Sequence, residues 1–67
     1  MSVARVTEIS ATSTDSFDDA VKQGIERAAK TLRGVQSAWV KEQTVKVENS
    51  SIVHYRVNIM VTFMLED

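Results

Sequence analysis

An α+β fold in the order β-α-β-β, one helix wrapped by a three-stranded antiparallel sheet, follows from three features of this 67-residue sequence. Val53, Tyr55, Val57, Ile59, Val61, Phe63 and Leu65 alternate without a break against His54, Arg56, Asn58, Met60, Thr62 and Met64, the period-two signature of a half-buried strand. Phe17, Ala20, Val21, Gly24, Ile25, Ala28 and Leu32 recur at 3.6-residue spacing, which makes one apolar stripe along a helix. Finally, the length admits one domain, 1–67, and no second.

Taken in order, residues 3–10 are β-branched and roughly alternating, predicting a first strand that the polar run Ala11-Thr12-Ser13-Thr14-Asp15 ends. Ser16, three residues before Asp19, resembles a capping box, and Asp18 and Asp19 suit the positive end of the helix dipole. The helix is predicted over 17–33, with Lys30 and Arg33 in its last turn and Gly34 as its left-handed C′ residue. Gly24, on the buried stripe, implies close approach of helix to sheet. A second strand, 35–47, should turn Ala38, Val40 and Val45 to the core and Ser37, Trp39, Lys41 and Gln43 to the other face. Glu48-Asn49-Ser50-Ser51 makes the hairpin turn. The third strand, at about 44 Å for its thirteen residues, belongs at the centre of the sheet in order 1-3-2, its overhang packed on neighbouring subunits.

Composition narrows the function. A chain this small buries too little surface to be comfortable alone, and without Cys it has no disulfide to help, so self-association is the remedy left. Eight basic residues against nine acidic argue against nucleic acid or an anionic membrane as partner. No signal-peptide core or long apolar run is present, which predicts a cytoplasmic protein. No P-loop, dinucleotide fingerprint, triad or acid/base pair appears, so an enzyme is the least expected class.

One helix covers one side of the sheet. The other side, Ser37, Trp39, Lys41, His54, Arg56, Asn58, Met60, Thr62 and Met64, is too apolar for a plain solvated face and too polar for a core, so it reads as an interface or ligand platform. The Thr12-Ser13 break, the helix segment Ile25-Glu26-Arg27-Ala28-Ala29-Lys30-Thr31-Leu32-Arg33, Val40 to Gln43, and the ending His54-Tyr55-x-Val57-x-x-x-Val61-x-Phe63-x-Leu65-Glu66-Asp67 together resemble the dodecin family. The resemblance implies a hollow homododecamer of cubic 23 symmetry that binds flavins without catalysing a reaction. It implies a Trp stacked on the isoalloxazine, a Gln on the ring edge and an Arg completing the pocket; the corresponding positions here are Ser37, Arg56 and Met64.

All three depart from that pattern, so weak or absent binding of riboflavin, FMN and FAD is expected. The chain is most similar to the calcium-dodecin branch, which also lacks the flavin Trp and reads Val40-x-Glu42-Gln43 and Tyr55-Arg56. Trp39 lies two residues from Ser37 on the same face, about 6.6–7 Å along, where it either offers a shifted stacking platform or fills a subunit interface. A ligand- or ion-sequestering shell, a flavin store built on Trp39, and a purely structural oligomer therefore remain as readings.

Several further residues carry groups suited to site chemistry. Asp15, Asp18 and Glu8 are candidate oxygen ligands for calcium, gathered by symmetry from several chains, although Asp18 and Asp19 already serve the helix start. His54 lacks a nucleophile or acid partner at motif spacing and reads as structural. Arg56 with Lys41 across the hairpin can hold an anion or pair with Glu42 or Glu48. Met60 and Met64 are adaptable packing groups that can also line a flat slot.

Overall fold

The computed structural model describes residues 2–65. Its elements are β1 (Ala4–Ser13), α1 (Phe17–Thr31), β2 (Val35–Glu48) and β3 (Ser51–Met64), and the sheet is antiparallel in the order β1-β3-β2. The expected architecture is the observed one. The Glu66-Asp67 end of the family-like stretch lies outside the described residues.

β1 runs three residues past its expected end because the polar stretch finds partners inside the fold. Ala11 pairs with Val57, and Ser13 pairs with Tyr55 while remaining buried. The Ser13 hydroxyl donates to the Asp19 carboxylate and accepts the Asp15 backbone N–H at 2.9 Å, so burial leaves it satisfied.

The start of α1 matches the sequence reading. Ser16 is the N-cap, and its hydroxyl accepts the Asp19 N–H at 3.0 Å. Asp19 does not complete the box; its carboxylate instead accepts from Ser13 and Gln23. The other end corrects the expectation. The helix stops at Thr31, Leu32 caps it in an extended conformation, and Gly34 takes its positive φ of 71° two residues past that cap, where its carbonyl accepts the Met64 N–H at 2.9 Å. Leu32 turns inward to pack against the core instead of prolonging the helix.

The core is narrow: Val57, Ile59 and Val61 of β3 are fully buried beneath the small helix residues Ala20, Gly24 and Ala28. Phe17 closes one end by meeting Tyr55 edge to face, with ring centroids 5.1 Å apart. Small residues at every fourth helix position let α1 sit low on the sheet, as Gly24 implied.

α1, at roughly 22 Å, covers less than half of a hairpin whose strands run about 48 Å. The chain is therefore elongated, 52 × 19 × 13 Å, with a radius of gyration of 13.8 Å against about 11 Å for a compact chain of this length. Val45, Val47, Ile52 and Val53 on the far half of the hairpin are exposed. Ala38, Val40 and Val45 were expected in the core. They face the helix side, opposite Val61, Ile59 and Tyr55, yet stay exposed because α1 packs over β1 and β3 and hardly reaches β2.

Candidate functional site

The site is the sheet face turned away from α1. Directly paired residues share a face, so the register maps it row by row. Val6, Thr62 and Ser37 form one row, then Glu8, Met60 and Trp39, then Ser10, Asn58 and Glu42, then Thr12, Arg56 and Thr44, and finally His54 with Lys46. Ala4 and Met64 begin the series at the opposite end.

Irregular pairing sets which side chains appear there. β2 carries an extra residue between Val35 and Ser37 and another between Val40 and Glu42, and β3 carries one opposite the step from Lys46 to Val47. An extra residue inverts the alternation beyond it. Gln43, expected on the open face, thus lies opposite Val57 on the helix side, and Glu42 takes the open position, where it accepts a hydrogen bond of 2.9 Å from Asn58 Nδ2. Lys41, the extra residue, reaches Glu8 at 3.4 Å. It is not the partner of Arg56, which sits between Thr12 and Thr44.

The face divides in two. Around Ser37 are Trp39, Met60, Met64 and Val6, an apolar patch at the end where β2 begins. Toward the hairpin tip are Arg56, Lys46 and His54, and a cleft of about 340 Å³ is lined by these three with Thr44 and Val45. The Glu42–Asn58 bond and the Lys41–Glu8 pair separate the halves. Thr44, Lys46 and Glu42 were missed as face residues by the sequence reading. The signal was present: the inward residues change from even, at Ala38 and Val40, to odd, at Val45 and Val47, and that change of parity marks an inserted residue.

Ser37 and Met64 fall close together at the apolar end, but Arg56 is six residues along β3 from Thr62, the partner of Ser37, which is roughly 20 Å. The three positions do not converge within one chain. Trp39 stands opposite Met60 and is 53% exposed, beside Ser37 and not in its place.

The acidic candidates do not converge either. Glu8 lies in mid-strand and is held by Lys41, whereas Asp15 and Asp18 sit at the start of α1, past the end of β1. Among the described residues no three His, Cys, Asp or Glu side chains form a metal-sized group. A cation held by these three residues requires more than one copy of the chain.

A second groove, of about 550 Å³, runs between α1 and the free edge of β1 and is lined by Ile9, Ala11, Gln23, Gly24, Arg27 and Leu32 among others. No described helix is long and apolar enough to cross a membrane.

Comparison with known proteins places this geometry. The family model described as Dodecin matches residues 3–66. The calcium dodecin of Mycobacterium tuberculosis is 31% identical over 65 residues, 97% of this chain and 92% of that protein. The dodecin of Streptomyces davaonensis superposes with a TM-score of 0.93 at 33% identity, covering 98% of this chain and 97% of that one. The crystal structure of the calcium-chelating calcium dodecin of M. tuberculosis, with its novel calcium-binding site, superposes with a TM-score of 0.83 at 28% identity, covering 96% of this chain and 91% of that one. With its topology, its sheet order and nearly its whole length matched in this way, the chain belongs to the dodecin family.

Proposed function

We propose that the chain builds a non-catalytic, cytoplasmic homododecameric shell of the calcium-dodecin type, which sequesters a divalent cation between subunits and has lost most of its flavin affinity. The observation that carries this reading is Ser37 at the stacking position, without an aromatic ring of its own and with Arg56 in place of the edge-binding amide. Loss of an aromatic platform forfeits about 1–3 kcal/mol and each lost hydrogen bond about 0.5–1.5 kcal/mol. Together, roughly 3–5 kcal/mol weakens flavin binding by about a hundredfold to several thousandfold. Similarity to the calcium dodecin supports the ion. With Glu8 apart from Asp15 and Asp18 in one chain, a site built from these residues has to be shared between copies to approach the six to eight oxygens that calcium takes.

A cation bound only by the assembled shell stabilises it by mass action, about 2.7 kcal/mol at a hundred times Kd. Thermal melts in EDTA, then with calcium or magnesium restored, test the proposal; a higher melting temperature with calcium is expected, and identical curves refute the ion. A flavin store built on Trp39 is the alternative that its 53% exposure favours. Submicromolar flavin binding with quenching of Trp39 emission would establish that alternative instead.

A further inference from the structure

We infer that the uncovered tip of the β2–β3 hairpin of one copy fills the groove between α1 and the outer edge of β1 in the next, so that copies join head to tail and close into a ring. The inference rests on the reading of the chain as an assembled shell and names two surfaces that join it. Both lie on the helix side of the sheet, opposite the face that carries Ser37, Arg56 and Met64.

The fold itself leaves each surface open. Phe17, the first residue of α1, meets Tyr55, and β1 ends opposite that same residue, so the hairpin beyond it has neither helix nor third strand over it. Val45 pairs with Tyr55 and Val47 with Ile52, which places all three aliphatic residues on the helix side. Val53, the extra residue of β3, points away from its neighbour His54 and joins them. These four are between 37% and 56% exposed, a contiguous apolar patch of the kind that marks an interaction surface. The chain exposes 4961 Å², about 700 Å² more than a compact monomer of 7.5 kDa. An ordinary protein interface takes about 800 Å² from each partner, so the excess has the size that one such contact removes.

Groove and tip match in length and in chemistry. The groove has a volume of about 550 Å³ and an apolar floor of Ile9, Ala11, Gly24, Ala28 and Leu32. From Thr7 to Thr12 it follows β1 for about 17–20 Å, and the stretch from Val45 to Glu48 spans about 14 Å. One wall is the edge of β1 that faces away from β3, a row of backbone groups that a covering element protects. On the rim, Arg27 pairs with none of the described carboxylates. Glu48, the only carboxylate of the tip, is held there by a single exposed contact with Lys46, so it is free to meet a cation of a neighbour. A chain cannot fill its own groove, because the tip projects past the start of α1 while the groove opens along its later turns. Tip and groove are different patches, so the contact is heterologous, and such contacts end only by closing into a ring.

The chain has no Cys, so engineered cysteines are its only thiols. Ile52→Cys and Gln23→Cys in one chain, treated with a short bismaleimide and separated under denaturing conditions, should give a ladder of covalent oligomers that stops at a fixed ring size. Each single variant should cross-link far less. Val47→Cys with Arg27→Cys is a second pair with the same expectation. Val47→Asp should raise the concentration needed for assembly about tenfold or more, since the contact buries its carboxylate. Single variants that cross-link as well as the pairs make the contact isologous and overturn the inference, and a ladder that lengthens without limit overturns the ring. Absence of cross-links from both pairs, in protein that native mass spectrometry finds assembled, overturns the inference and leaves the shell reading standing; a monomeric unmodified chain removes both.

Discussion

Gly24→Ala sets two calculable terms against each other. In an unconstrained helix interior the change favours folding by about 1 kcal/mol, because alanine loses less backbone entropy. Here the new Cβ would lie 3.0 Å from the Ala11 Cβ, 3.1 Å from Ile59 Cδ1 and 3.6 Å from Ile9 Cδ1. The Ile59 methyl can rotate away only into a core with no free surface, and the Ala11 Cβ moves only if β1 moves with its pairing to Val57. Overpacking of this kind costs roughly 1–3 kcal/mol, so the net effect is destabilisation by about 1 kcal/mol, or roughly 4–8 °C for a domain of this size. Denaturant titration at fixed protein concentration measures it, since assembly makes stability concentration-dependent. Ala29→Gly, at an exposed helix position, reads the propensity term alone. Adding Ala11→Gly removes the rigid contact, and the double mutant should recover about 1 kcal/mol relative to the sum of the singles. Gly24→Ala that stabilises the protein, or a double mutant that is strictly additive, would refute the close packing of α1 on the sheet.

Ser13→Ala should destabilise by about 1–3 kcal/mol, read as a lower melting temperature, since the Asp15 N–H loses its acceptor and the Asp19 carboxylate a donor. Ser37→Trp with Arg56→Gln should restore flavin binding by more than the sum of the single gains, measured by flavin fluorescence; because the positions are roughly 20 Å apart in one chain, that coupling requires two copies around one ring, and additive gains would refute it. Native mass spectrometry should find twelve times the 7.5 kDa chain, and a folded monomer at micromolar concentration would refute the argument that the uncovered hairpin needs partners.

Sequence alone determined the parts of this protein that depend on local period. The third strand, the helix start at Ser16, the strand order and the low seat of the helix at Gly24 follow from residues close in the chain. Each such pattern is written in side chains that its own element must bury. Membership of the dodecin family was also legible, because the likeness covers nearly the whole chain without a large gap.

Tertiary structure decided what pairing and coverage control. The extra residues in β2 turn Gln43 inward and Glu42 outward, and they set Lys46 beside His54 and Thr44 beside Arg56. An inserted residue leaves only a faint change of parity, since its position is chosen by the hydrogen-bond ladder with β3. Coverage is likewise a property of packing: a 15-residue helix cannot shield a hairpin of two 14-residue strands, so Val40 and Val45 point to the core side and still meet solvent. Polar residues at the end of β1 looked like a break until Ser13 found Asp19 six residues on, a contact that exists only when the helix returns to the sheet. The division of the open face into an apolar patch and a cationic cleft has the same origin, because it depends on which rows of three strands coincide.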